Sequence, residues 1–149
     1  MQFRYKLFPQ PVAALSLGGR WSRPRPVIPF SVLGPKDTWV NLALLDTGAD
    51  ETILPVDAAR YIGLDLTHAP TGSTLGLGSV PVPLQYAEVK LRLSDGKEFR
   101  EWLAWVGFTT MRIKRPLLGF AGCLQFFTAA FHGDREEVFL DVNSLYRGS

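Results

Sequence analysis

The sequence has little of the chemistry that metal centres and disulfide frameworks require. It contains one cysteine, Cys123, so no disulfide can form within the chain and no zinc site can be built from several cysteines. Its two histidines, His68 and His132, lie far apart and belong to no ligand motif. We therefore expect no metal ion and no cofactor.

Long apolar runs and a strong excess of one charge are also missing. No stretch approaches the roughly 20 apolar residues that cross a bilayer. The apolar segment near the start is short and is interrupted by Pro9 and Pro11, unlike a secretory signal. The formal charge of +2 is too small to indicate a nucleic-acid or membrane partner. We expect a soluble, cytoplasmic protein that binds neither.

The composition is that of an ordinary globular domain divided into short segments. With 149 residues, the chain can bury one core but cannot hold two large lobes. Its 14 glycines and 11 prolines separate short stretches rich in Val, Phe, Trp and Leu. This pattern favours an all-β fold.

The segment pattern predicts two parts and a series of hairpins. Residues 1–26 are expected to form a β segment at 3–8 and then an irregular, exposed arm, and residues 27–149 the main domain. Short helices are predicted at 55–62, which starts at a proline and stops at Gly63, and within 120–127. The predicted strand pairs are 27–33 with 38–45, 86–93 with 98–106, and 129–132 with 137–142.

One stretch carries chemistry, the run Leu-Leu-Asp-Thr-Gly-Ala-Asp at residues 44–50. Asp46 follows an apolar strand, where a carboxylate is costly unless a nearby group hydrogen-bonds it or shares its charge. Thr47 offers a hydroxyl, and Gly48 permits a positive φ or the close approach of another backbone. Asp-Thr-Gly is also favourable turn chemistry, so these three residues alone do not define a site.

The longer run from Leu44 to Pro55 resembles the catalytic loop of retropepsin-like aspartic proteases, a retroviral-type family with bacterial relatives. A glycine-rich segment, Gly72–Ser79, lies where that family carries a flap hairpin. Leu117-Leu118-Gly119 matches its apolar-apolar-glycine element, which enters a short helix. The resemblance covers roughly residues 27–142.

The resemblance implies a retropepsin-like closed barrel and an aspartic endopeptidase whose active site needs two Asp-Thr-Gly loops. This chain has one such loop, so the implied enzyme is a homodimer in which each subunit contributes Asp46. Thr47, Gly48 and Ala49 would support the loop. The residues implied to contact a peptide or protein substrate are Asp50, Gly76, Leu77, Gly78 and Leu117.

Two departures from the family pattern leave questions open. Phe120 stands where many retroviral members have an arginine that pairs with the second aspartate, so Asp50 must find another cation, such as Arg115, or remain solvated. The N-terminal extension is also longer than in minimal viral enzymes, and residues 3–8 and 138–142 could join a dimer sheet. The alternative function is a catalytically silent module of the same fold that dimerises or binds peptides.

Several of these residues also have a purely structural interpretation. The Thr47 hydroxyl could bond within its own turn instead of across a dimer, and Asp50 could lie in a solvated turn. Gly76 and Gly78 could be ordinary turn glycines instead of parts of a mobile lid, and Leu117 could simply pack in the core.

Overall fold

The computed structural model describes residues 1–76 and 78–149, most of which lie in β-strands. The single α-helix of these described residues, α1, spans Val56–Ile62, and 3₁₀ turns lie at Leu15–Leu17 and Leu124–Phe126. The prediction of an all-β fold is therefore confirmed. The strands are β1 Gln2–Arg4, β2 Lys6–Ala14, β3 Arg20–Arg25, β4 Val27–Leu33, β5 Thr38–Leu45, β6 Ile53–Pro55, β7 Thr71–Leu75, β8 Pro81–Ser94, β9 Phe99–Thr109, β10 Leu117–Leu118, β11 Phe127–His132 and β12 Glu137–Val142.

The main sheet closes into a barrel. Its strand order is β4-β5-β10-β6-β9-β8-β7, and β4 pairs a second time with β8. That additional pairing runs from Phe30 opposite Leu93 to Leu33 opposite Lys90 and joins the two ends of a six-stranded ring. The ring has an apolar interior, with fully buried side chains that include Ile28, Val32, Leu91, Val106 and Phe108.

The short strand β10 occupies an unusual position, between two strands that are neighbours in sequence. It runs parallel to β5, with Leu117 opposite Leu44 and Leu118 opposite Leu45. It runs antiparallel to β6, with Leu117 opposite Ile53. The loop from residue 46 to residue 52, which joins β5 to β6, must therefore cross the end of β10.

The helix α1 confirms the helix predicted from its terminal residues. Pro55 precedes it in an extended conformation, and Gly63 ends it with a left-handed φ of 76°. The Gly63 N–H donates to the carbonyls of Ala59 and Arg60, which satisfies carbonyls at the helix end. The buried residues of the helix are Ala58, Ala59 and Ile62, which join the core.

The N-terminal residues differ from the irregular arm expected from sequence. The strand β1 pairs with β12, which in turn pairs with β11, so Phe3 lies opposite Val138 of the same chain. The strands β2 and β3 form a separate two-stranded hairpin. Both strands of a two-stranded sheet are edge strands, and the outer side of each has no partner strand. Proline, which has no N–H to donate, is tolerated at such positions. The domain boundary at residue 26 stays a prediction.

The second predicted helix is reduced to the 3₁₀ turn at Leu124–Phe126. Gly122 has a φ of 89°, which interrupts a right-handed helix. The N–H groups of Phe120 and Ala121 instead donate to the carbonyls of Ala49 and Asp50. Among the described residues, no helix is both long and apolar enough to span a membrane.

Candidate active site

Asp46 is placed by the pairing of β5 with β10. It is the first residue after β5, and its backbone N–H donates to the carbonyl of Leu118 at 3.1 Å, which continues the pairing with β10. Leu45 and Leu118 are both buried, whereas Asp46 itself is half-buried. The core therefore ends at Asp46, and its carboxylate emerges at the edge of the barrel.

The Asp46 carboxylate is oriented by its own turn. The Gly48 N–H donates to Oδ1 of Asp46 at 2.9 Å, and the Ala49 N–H donates to the Asp46 backbone carbonyl at 3.2 Å. A Cβ on Gly48 would lie 3.3 Å from the same Oδ1, so a side chain would crowd the carboxylate. Thr47 is exposed, and its hydroxyl makes no hydrogen bond with any residue that the structure describes.

The loop rests on the backbone that follows β10. The N–H groups of Phe120 and Ala121 donate to the carbonyls of Ala49 and Asp50, both at 2.9 Å, and the Thr52 N–H donates to Ala121 at 2.8 Å. Gly119 makes this close approach possible, since its missing Cβ would lie 2.3 Å from the Glu51 carbonyl oxygen. The apolar-apolar-glycine element thus supports the aspartate loop from behind.

The Asp46 carboxylate borders a cleft of about 370 Å³. The predicted site residues Asp46, Gly48, Ala49, Asp50, Gly76 and Leu117 all line it. Its other walls are mainly apolar and include Ile53, Leu75, Val82 and Ile113. The predicted site residues outside this lining are Thr47, on the exposed part of the loop, Gly78, at the hairpin tip, and Leu77, which lies outside the described residues.

The glycine-rich segment forms a hairpin opposite the loop. The strands β7 and β8 pair from Thr71 opposite Gln85 to Leu75 opposite Pro81, and the Gly76 N–H donates to Val80 at 2.9 Å. Gly78 has a φ of 79°, and a Cβ there would meet no atom within 4 Å. Gly76 does not have a positive φ, so only Gly78 of the two needs the conformational freedom of glycine.

A contact missed by the sequence analysis links this hairpin to the loop. The Tyr86 O–H, on β8, donates to Oε1 and Oε2 of Glu51 at 2.8 and 2.9 Å. Partial burial and the neighbouring Glu51 carboxylate raise the pKa of Tyr86 to about 12, so it stays protonated as the donor. The sequence gives no signal for this pair, because the two residues are 35 positions apart.

Of the two alternatives for Asp50, a pairing with Arg115 is absent from the described residues. Asp50 is exposed and forms no ion pair with the residues described. The Arg115 guanidinium instead stacks over the ring of Phe8, 4.3 Å from its centroid. Phe120, where the family pattern has arginine, is 60% exposed. Asp50 therefore follows the solvated alternative within this chain.

The described residues contain no group of three or more His, Cys, Asp or Glu side chains that could hold a metal ion. Cys123 is fully buried, and this burial raises the pKa of its thiol, which disfavours the reactive thiolate. The residues that line the cleft include two carboxylates, those of Asp46 and Asp50.

Comparisons with known proteins find solved structures to which the chain is distantly similar. It is similar to a retropepsin-like aspartic protease from Rickettsia conorii, with a TM-score of 0.47 and 17% sequence identity, over 93% of this chain and 95% of that chain. No family model matches the chain, and no curated protein matches it. A likeness this weak carries no argument about function.

Proposed function

We propose that this protein is an aspartic endopeptidase that works as a homodimer, with one Asp46 carboxylate from each subunit. The observation that carries the proposal is the position of Asp46, directly after the buried Leu45 at the end of β5 and in the wall of an open, mainly apolar cleft. The turn at Gly48 fixes one oxygen of this carboxylate and leaves the other free of hydrogen bonds within the described chain.

The proposed chemistry uses two carboxylates that share one proton. Two carboxyl groups about 3 Å apart cannot both be ionised. One Asp46 therefore acts as the base toward a water, while the other, which is protonated, polarises the scissile carbonyl. Attack of the water gives a tetrahedral intermediate, and its collapse breaks the peptide bond as the amine leaves with a proton. Gly48 and Ala49 hold the loop in position, and neither supplies a reacting group.

The requirement for a second subunit follows from the number of loops. The chain contains one Asp-Thr-Gly sequence, so a carboxylate pair needs a second copy of the same surface. A two-fold interface brings identical patches together, and the exposed Thr47 hydroxyl is available to bond to the partner's loop. The dimer stays a proposal, as does this role of Thr47.

The proposed substrate is an extended peptide bound between the loop and the glycine-rich hairpin. Such a peptide presents alternate side chains to the two walls and can use its backbone groups for hydrogen bonds. Asp50 and Leu117 would contact it from the barrel, and Gly76, Leu77 and Gly78 from the hairpin. The hairpin would then act as a lid, with Gly78 at its tip.

The decisive experiment is digestion of a peptide library by wild type and Asp46→Asn in parallel. The amide keeps the shape of the carboxylate but cannot act as base, so we expect cleavage to disappear while the protein stays folded. Asp134→Asn is the matched control, because Asp134 is an exposed carboxylate in the turn before β12. Cleavage by Asp46→Asn at the wild-type rate would reject the proposal, and a wild type that binds peptides without cleaving them would favour the silent module.

A further inference from the structure

A second pocket, of about 240 Å³, adjoins the Asp46 cleft. Both cavities share Ile113 and Leu117 in their walls, so the pocket lies next to the cleft. Leu44, which lies opposite Leu117 in the parallel pairing of β5 with β10, adds a further apolar wall. Leu44 precedes Asp46 by two residues along β5, so the pocket lies beside this part of the strand.

The remaining residues of this pocket are all cationic: Arg25, Lys114 and Arg115. None of the three forms an ion pair with a carboxylate that the structure describes. Three positive charges around an apolar cavity repel one another, and an anion placed among them would relieve that repulsion.

Arg115 is the residue best fixed for this role. Its guanidinium is held over the ring of Phe8, at 4.3 Å from the centroid, which limits its freedom before any ligand arrives. Its Nε is shielded from solvent and has no hydrogen-bond partner among the described residues. The pocket is therefore bordered by a guanidinium whose position is already restricted, which lowers the ordering cost of binding an anion there.

We propose that this pocket binds the carboxylate of a glutamate side chain in the substrate, next to the scissile bond. The inference rests on the proposed peptidase function and adds a substrate class to it. The methylene groups of glutamate would contact Leu44 and Leu117, and its carboxylate would accept hydrogen bonds from the planar guanidinium of Arg115. A glutamine of the same shape has no charge to offer and would bind less well.

The test uses two versions of a cleavable library peptide that differ only in Glu or Gln beside the cleaved bond. We expect wild type to favour the Glu peptide in kcat/KM by about tenfold or more, the usual scale for a hydrogen bond to a charged group. The preference should fall to near unity in Arg115→Met, which keeps the long apolar stem, and persist in part in Arg115→Lys. Arg112→Met is the matched control, since Arg112 is an exposed cation of the same loop outside this pocket.

Two further measurements separate this inference from the function on which it rests. Binding of both peptides to inactive Asp46→Asn should show the same preference for Glu without any turnover. The preference should also fade as the pH drops through about 4, where the substrate carboxyl becomes protonated.

Equal cleavage and equal binding of the two peptides would overturn the pocket assignment and leave the peptidase proposal standing. The assignment would likewise fail if Arg115→Met lowered the cleavage of both peptides equally and dissociated the dimer. The cations would then face a carboxylate of the partner subunit and not one of the substrate. Cleavage by Asp46→Asn would instead reject the peptidase itself.

Discussion

The support of the aspartate loop by Gly119 can be tested with a single methyl group. In Gly119→Ala, the new Cβ would lie 2.3 Å from the Glu51 carbonyl oxygen, 2.6 Å from the Glu51 carbonyl carbon and 2.7 Å from the Ala49 carbonyl oxygen. These are backbone atoms, which cannot rotate away as a flexible side chain can. A carbon normally stays about 3.4 Å from such an oxygen, so the loop must retreat by about 1 Å.

The cost of this retreat follows from the bonds that join the two segments. They are the bonds from Phe120 to Ala49, from Ala121 to Asp50 and from Thr52 to Ala121, at 2.9, 2.9 and 2.8 Å. An added ~1 Å takes each beyond ordinary hydrogen-bond length. At about 1 kcal/mol per bond, the free energy of unfolding should fall by about 3 kcal/mol. For a chain of this size, Tm should then fall by roughly 6–12 °C.

The assay is thermal unfolding together with peptide cleavage. Gly133→Ala is the control, because a Cβ on Gly133 would meet no atom within 4 Å and its backbone does not need a positive φ. We expect the control to melt close to wild type and to keep its activity. Gly119→Ala should melt lower and cleave more slowly, because Asp46 is bonded to the residue before Gly119. If the two variants have the same Tm, the loop does not depend on this close approach.

Three further predictions address assembly, the hairpin and pH. When equal amounts of wild type and Asp46→Asn exchange subunits, about a quarter of the dimers should contain two wild-type subunits. Total activity should then be about half that of the input wild type. Full activity after verified exchange would refute the shared site. Gly78→Val should slow cleavage more than Gly76→Val, because only Gly78 has a positive φ, and equal kinetics would place the lid elsewhere. The Gln2 N–H, followed by that of Glu98, lowers the pKa of Asp95 to about 2. The ionised Asp95 therefore stabilises the fold fully above its unfolded pKa of about 3.9, and this stabilisation is lost as the pH falls toward 2. Asp95→Asn should lower the free energy of unfolding, measured in denaturant, more at pH 6 than at about pH 2. An equal loss at both pH values would contradict this prediction.

The sequence predicts elements well where local chemistry marks both ends. The strand β4 ends at a Gly-Pro turn and β5 ends at the Asp-Thr-Gly loop, and both have the predicted bounds. The helix α1 is similarly delimited by Pro55 and Gly63. In each case one or two residues with restricted or unusual backbone preferences set the boundary, and no distant contact is needed.

The failures occur where distant contacts override local preference. Residues 120–127 have a composition that permits a helix, but Phe120 and Ala121 donate to the aspartate loop about 70 positions earlier. The proline-containing segment after residue 8 is predicted to be an irregular arm, yet residues 6–25 form a hairpin in which both strands are edges. Its ion pair between Arg20 and Glu136 joins segments from opposite ends of the chain.

The candidate site shows the same difference between features set by local sequence and features set by distant contacts. The motif locates Asp46, Gly48, Ala49 and Leu117 because the loop and β10 are both visible in sequence, and the cleft brings them together. The bond between Glu51 and Tyr86 depends on the barrel geometry and has no local signature. The pairing suggested for Asp50 relied on nearness in sequence, whereas Arg115 lies against Phe8 of the N-terminal hairpin.

The insertion of β10 between β5 and β6 has a consequence for the order in which the protein is made. The ribosome completes β5, the aspartate loop and β6 long before it adds residues 117 and 118. During that time the nascent chain lacks β10, the strand that separates β5 from β6 in the folded sheet. Contacts between segments so far apart in sequence form slowly and late in folding. Until they form, Asp46 lacks its bond to Leu118 and the loop lacks its support. We therefore expect the carboxylate to reach its final position only after residues 117 and 118 have been made, so that a chain that stops before them would have no organised site.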